Sequence, residues 1–243
     1  MSTLTVRPEA ATAKAPAALR MDLYGPIHKG LRLFMADTLG KVGWLDVNDA
    51  AEIAATLSQV QSLLDFCRNH LEHENHFVHT ALEARRPGAS LRVAGEHDAH
   101  LDAIAALEAD AAALRALPGQ AAAHRFYRHL ALFMAENFEH MNTEETAHNA
   151  ALWASYSDAE LADVHKRLVA SVEPAEMALV LRWMVPAMSP AERAGMFGAM
   201  QQQLPPAALQ GMLDAVRPHL DDSAWAKLTR ALGLPPVPGL VEA

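Results

Sequence analysis

Apolar residues recur at alternating steps of three and four along four long stretches of the chain, at about 26–43, 49–85, 90–117 and 120–153. That spacing keeps one face of a helix apolar, because a helix repeats about every 3.6 residues. The first stripe runs through Leu31, Met35, Leu39 and Val42, and the second through Val60, Leu63, Cys67, Leu71, Phe77 and Ala81. The third carries Val93, Ile104, Leu107, Ala111 and Leu114, and the fourth Phe126, Leu130, Phe133 and Ala147. The separators GWLDVN, RPGAS and LPGQ break helices, and Asp49 with Glu52 has the spacing of a capping box. Long helices with short connections lie antiparallel, so residues 22–156 are expected to form an all-α, up-down four-helix bundle.

The pattern changes after Ser157. Pro174, Pro190 and Pro206 are each followed by a Met-rich and Leu-rich run, and proline suits the first turn of a helix. Ser189 with Glu192 repeats the capping-box spacing. Residues 157–235 therefore read as a C-terminal array of short helices, whose 16-residue spacing is read as the product of common helix-starting rules, with a true internal repeat as the alternative. The methionines are expected to fill its core. This array is also where a protein partner or a second copy of the chain would dock. Residues 1–21 and 236–243 read as tails.

Polar residues interrupt the four stripes. On the inward faces stand His28 in the first helix, His70 and Glu74 in the second, His97 and His100 in the third, and Asn137, His140 and Glu144 in the fourth. The run NHLEHENHFVHT holds four histidines at every third position, a step too short for one helical face. Of these, His70 is expected inward, His73 at the flank, and His76 and His79 turned to solvent or an interface, as is His148. His28 and His70 fall at similar heights above the connection joining their helices, as do His97 and His140. His129 is expected on the inner face of the fourth helix, roughly 16 Å from His140 at 1.5 Å per residue, so it and His124 are read as core histidines.

Ionised carboxylates are costly to bury unless a cation or hydrogen bonds compensate them. Imidazoles with carboxylates and no thiolates suit iron, manganese or zinc, and two central carboxylates favour two bridged ions. Cys67, the single cysteine, can form no internal disulfide and reads as a small buried hydrophobe, as expected in a reducing cytoplasm. The net charge of -9 gives no electrostatic basis for binding nucleic acid or an anionic membrane, and no apolar span is long enough for a membrane helix.

One His on the first helix, His70-x-x-x-Glu74 on the second, Glu96-His97 opening the third and His140-x-x-x-Glu144-Glu145 on the fourth resemble the hemerythrin-like HHE cation-binding family over about residues 22–153. The resemblance implies a four-helix bundle holding two non-haem irons with an oxo or hydroxo bridge. It implies that Glu74 and Glu144 bridge the metals, that His28 and His70 complete one, and that His97 and His140 complete the other. Oxygen-carrying members use His-x-x-x-His on the third helix and Asp on the fourth, whereas this chain has His97-x-x-His100 and Glu144. Reversible oxygen carriage therefore does not follow, and His100 is open as a further ligand, a support for one or a pocket histidine. Tyr24 lies close enough in sequence to His28 to hydrogen-bond a metal-bound species.

The expected function is binding or sensing of a small diatomic ligand, dioxygen or nitric oxide, or of iron itself. The alternative is a di-iron oxidoreductase acting on oxygen, peroxide or nitric oxide, or an iron donor for cluster repair. A third reading makes the metal structural and the C-terminal helices the working surface.

Overall fold

A computed structural model describes residues 20–235, and every regular element among them is helical. Helix α1 is Gly25–Gly43. Helix α2 starts as Ala50–His73, widens into a π-helical turn at Glu74–His79 and resumes as Thr80–Arg85. Helix α3 is Leu91–Ala116. Helix α4 repeats the form of α2, with Gln120–Thr143, a π-helical turn at Glu144–His148, and Asn149–Ser155. The C-terminal region holds α5 (Asp158–Ser171), α6 (Pro174–Ala187), α7 (Pro190–Gln203), α8 (Pro206–Val216) and α9 (Asp222–Ala231).

Local sequence explains the boundaries. Asp49 accepts from the backbone N–H groups of Ala51 and Glu52 and caps α2, but Glu52 accepts from the Asp46 N–H at 3.0 Å instead of returning to Asp49. The reciprocal half of the expected capping box is thus spent on the turn before the helix. Complete capping boxes start α5 at Ser157 and Glu160, and α7 at Ser189 and Glu192. Pro174, Pro190 and Pro206 each open a helix, where the missing N–H has no intrahelical partner to lose.

The four long helices pack in a ring of neighbours, α1 on α2, α2 on α3, α3 on α4 and α4 on α1. Leu31, Phe34, Leu57, Leu63, Ile104, Leu114, Phe126 and Leu130 fill its interior. Helix α6 lies along the outside of α1, where Gly30 lets the helices approach so closely that a Cβ would stand 2.9 Å from the Met184 Cα. Beside that contact Trp183 stacks on Phe34, centroids 4.1 Å apart and 11° from parallel. Leu181, Val185, Phe197, Leu213, Val216 and Leu228 form a second core, edged by Met177, Met184, Met196, Met200 and Met212. A third, made by Tyr24, Val78, Leu82, Leu152, Leu161 and Val164, closes the end of the ring nearest the π-helical turns.

Most of the tail expected over residues 1–21, namely residues 1–19, lies outside the described residues, as do residues 236–243. Arg20 and Met21 both bond the Asp158 carboxylate and the Trp153 indole N–H donates to the Met21 carbonyl. Among the described residues no helix is long and apolar enough to cross a membrane.

Candidate metal centre

Six side chains predicted to point inward converge inside the ring. His28 Nε2 lies 3.5 Å from both Glu74 Oε1 and Glu144 Oε2. His70 Nε2 is 3.2 Å from Glu74 Oε1, and His140 Nε2 is 3.4 Å from Glu144 Oε2, the two i,i+4 pairs of α2 and α4. His97 Nε2 faces both carboxylates at 3.6 Å and His140 Nε2 at 3.0 Å. Ligand atoms of Glu74, His97, His140 and Glu144 form one group able to hold an ion, and those of His28, His70 and Glu74 form another that shares Glu74. His28 and Glu144 are wholly buried.

The outer nitrogens decide what the inner ones can do. His28 Nδ1 donates to Glu145 Oε1 at 3.0 Å, and Arg32 holds both oxygens of that carboxylate at 2.6 and 3.2 Å. Burial raises the Glu145 pKa, but the hydrogen bonds from His28 and Arg32 outweigh it and hold the group at about 2, so it accepts. His140 Nδ1 donates to Glu96 Oε2 at 3.0 Å and His97 Nδ1 to Asn75 Oδ1 at 2.9 Å. Each of these imidazoles therefore presents a bare Nε2 lone pair to the interior, the tautomer a metal-binding histidine needs.

Lone pairs then face lone pairs. Burial lowers the pKa of His97 to about 3 and of His140 to about 2, so neither supplies a proton to the 3.0 Å contact between their Nε2 atoms. Burial raises Glu74 to about 8, and burial together with the Glu74 charge raises Glu144 well above the usual carboxylate range. His28 Nε2, His70 Nε2 and all four oxygens of Glu74 and Glu144 are buried without a hydrogen-bond partner. Buried polar atoms are nearly always satisfied, and in this cluster protons on the two carboxyls or metal cations would satisfy them. The donor set, neutral imidazole with carboxylate, fits iron, manganese or zinc.

Two π-helical turns overturn part of the outward assignment. A π-helical turn takes in one residue more than an α-helical turn and moves everything downstream back by about 100°. On α2 the buried position after Glu74 is Val78, with Phe77 half-exposed, and on α4 it is His148, with Ala147 exposed. His79 and His148, expected at the surface, are buried as a result. The row His140, Glu144, His148 at steps of four on one helix was the available sequence signal for His148. His79, five positions after Glu74, stacks one π-turn beyond it and offers no such signal.

Other histidines settle elsewhere. His129 is exposed and pairs with Asp110, and His124 is exposed too, because Phe126 and Leu130 take the inner face of α4. His73 Nδ1 lies 3.5 Å from Glu176 of α6, facing away from the centre. His76 is exposed as expected. His100 is buried with an unpartnered Nδ1, its ring 4.8 Å from that of His140, and it belongs to neither group of ligand atoms. Tyr24 is buried, its ring 5.4 Å from His28 and its hydroxyl 3.1 Å from His148 Nδ1. Burial pushes the Cys67 thiol up to about 12, which makes it inert.

A surface cavity of ≈ 290 Å³ between α3 and α4 reaches His140 and His100, and Glu96, Glu136 and Glu139 line it with Arg92. Compared with known proteins, the chain matches no family model, no curated protein and no solved structure.

Proposed function

We propose that this chain is a non-haem di-iron protein of the hemerythrin-like type, in which α1 to α4 form an up-down bundle and the His/Glu centre serves to bind or sense dioxygen, nitric oxide or iron in a reducing cytoplasm. The observation that carries this reading is the set of bare acceptors: imidazole Nε2 atoms fixed by their outer hydrogen bonds and facing two partnerless carboxylates. Glu74 and Glu144 stand between the two histidine pairs and would bridge, with His28 and His70 on one side and His97 and His140 on the other. Two irons held this way would supply exchangeable positions for a diatomic ligand. Glu145, Glu96 and Asn75 fix ring orientation, and the aliphatic interior excludes bulky molecules. The carboxylates lining the α3–α4 cavity attract cations more than neutral diatomics, which favours iron itself as the cargo or signal.

The test is elemental mass spectrometry of full-length protein purified without added metal, then of metal-stripped protein reconstituted anaerobically with ferrous iron. Two or more irons per chain, with an absorption band that responds to nitric oxide, are expected. Zinc as the sole bound metal, or no metal after reconstitution, refutes the reading.

A further inference from the structure

The six converging ligands do not exhaust the buried donors. His79 and His148, carried inward by the π-helical turns of α2 and α4, each bury an Nε2 atom with no hydrogen-bond partner. Ligand atoms of His79, Glu144 and His148 all lie within 4.8 Å of one another, and all three residues are buried. The two imidazole rings meet edge to face with centroids 5.5 Å apart, and the His79 ring stacks on that of His97 at 4.9 Å. Resting on the di-iron reading, we infer that His79, His148 and Glu144 form a third metal position beside the pair, taking a divalent first-row ion, ferrous iron here.

The chemistry of the donors supports that assignment. Two imidazoles and one carboxylate make a set that holds ferrous iron and leaves open positions. The Tyr24 hydroxyl, 3.1 Å from His148 Nδ1, can accept that N–H and leave Nε2 as the free donor, as Glu145 and Glu96 do for His28 and His140. Glu144 can be shared because each carboxylate oxygen carries two lone pairs and neither has a hydrogen-bond partner. Without an ion the two buried Nε2 atoms have no hydrogen-bond partner.

The experiment is an anaerobic ferrous iron titration of metal-stripped, full-length protein, read as tightly bound iron per chain. It is run on the wild type and on His79→Gln, His148→Gln and the double variant. Three equivalents in the wild type are expected, with two in each variant, and the two retained equivalents report that the variant has folded. Two equivalents in wild type and variants alike overturn the third position and leave the di-iron reading standing, and three in all of them put the third ion elsewhere. No binding by the wild type overturns both readings.

Discussion

Gly30 and Gly95 both lie inside helices, but alanine should act on them in opposite directions. An ideal Cβ on Gly30 would sit 2.9 Å from the Met184 Cα and 3.0 Å from its N, backbone atoms that cannot swing aside, whereas a Cβ on Gly95 meets nothing within 4 Å. Carbon atoms rest at roughly 3.5–4.0 Å, so Gly30→Ala must push α6 off α1 by more than half an ångström. That opens the stack of Trp183 on Phe34, one helical turn from Gly30. Replacing glycine with alanine in a helix gains about 1 kcal/mol at either site. Overpacking costs about 1–3 kcal/mol and falls on Gly30→Ala alone. Because the helix term is common to both, the stability difference between the two variants isolates the packing term. We expect Gly95→Ala to lie about 1–3 kcal/mol above Gly30→Ala by urea denaturation followed by far-ultraviolet circular dichroism. Equal stabilisation by both substitutions would refute the close docking of α6 on α1.

Metal-free protein should lose stability as pH rises from 7.5 to 9. Folded Glu74 titrates at about 8 against 4.5 unfolded, so in that window the folded state holds more protons and a higher pH favours unfolding. The buried histidines whose pKa burial lowers, His70, His79, His97, His100, His140 and His148, act oppositely, but their contribution is nearly complete about one pH unit above the unfolded imidazole value of 6.5. The loss should be on the order of 1 kcal/mol for Glu74. Iron-loaded protein should show no such decline, and a metal-free protein with a higher urea midpoint at pH 9 than at pH 7.5 would contradict the buried acid. Glu145→Gln keeps the shape at His28 Nδ1 but removes the carboxylate charge, and should weaken iron retention against a chelator about 10–100-fold. Unchanged retention would show that Glu145 serves Arg32 and not the centre.

Sequence periodicity located the four long helices and the inward residues up to Glu74 and Glu144, because in those stretches the α-helical step holds and each apolar neighbour confirms the phase. It failed beyond both glutamates. No residue type announces a π-helical turn, so unbroken α-helical periodicity places Phe77 and Ala147 inward and His79 and His148 outward, whereas His79 and His148 are buried. His129 failed for a different reason: it precedes Leu130 by one residue, about 100° of rotation, and the stripe of α4 is too narrow to include it. The docking of α6 on α1 has only one mark in the sequence, the glycine amid Ile27, Leu31 and Phe34. The outer partners Asn75, Glu96 and Glu145 depend on rotamers across helices and have no signature in spacing.

The π-helical turn in α4 makes deletions position-dependent. Upstream the buried residues are Phe126, Leu130, Phe133, Asn137, His140 and Glu144, which continue to Ala147 in an unbroken α-helix, yet His148 and Leu152 are the residues buried. One residue is therefore in excess between Glu144 and His148. Thr146 is exposed, and its hydroxyl bonds only local carbonyls of Asn142 and Thr143. Deleting it restores the α-helical count and leaves His148, Asn149 and Leu152 facing the core. Deleting Glu139, also exposed but within the regular helix, turns His140, Glu144, His148 and Leu152 away from their places by about 100°. Removing several such buried groups at about 2–5 kcal/mol each exceeds a typical total stability of about 5–15 kcal/mol. The chain without Thr146 should thus give a cooperative melt within a few degrees of the parent, and the chain without Glu139 should give none. A Thr146 deletion that also abolishes cooperative folding would mean that the widened turn is demanded by the core itself. A folded protein that has lost iron would mean that the turn exists to set the metal ligands, its extra residue retained for the position it gives Glu144.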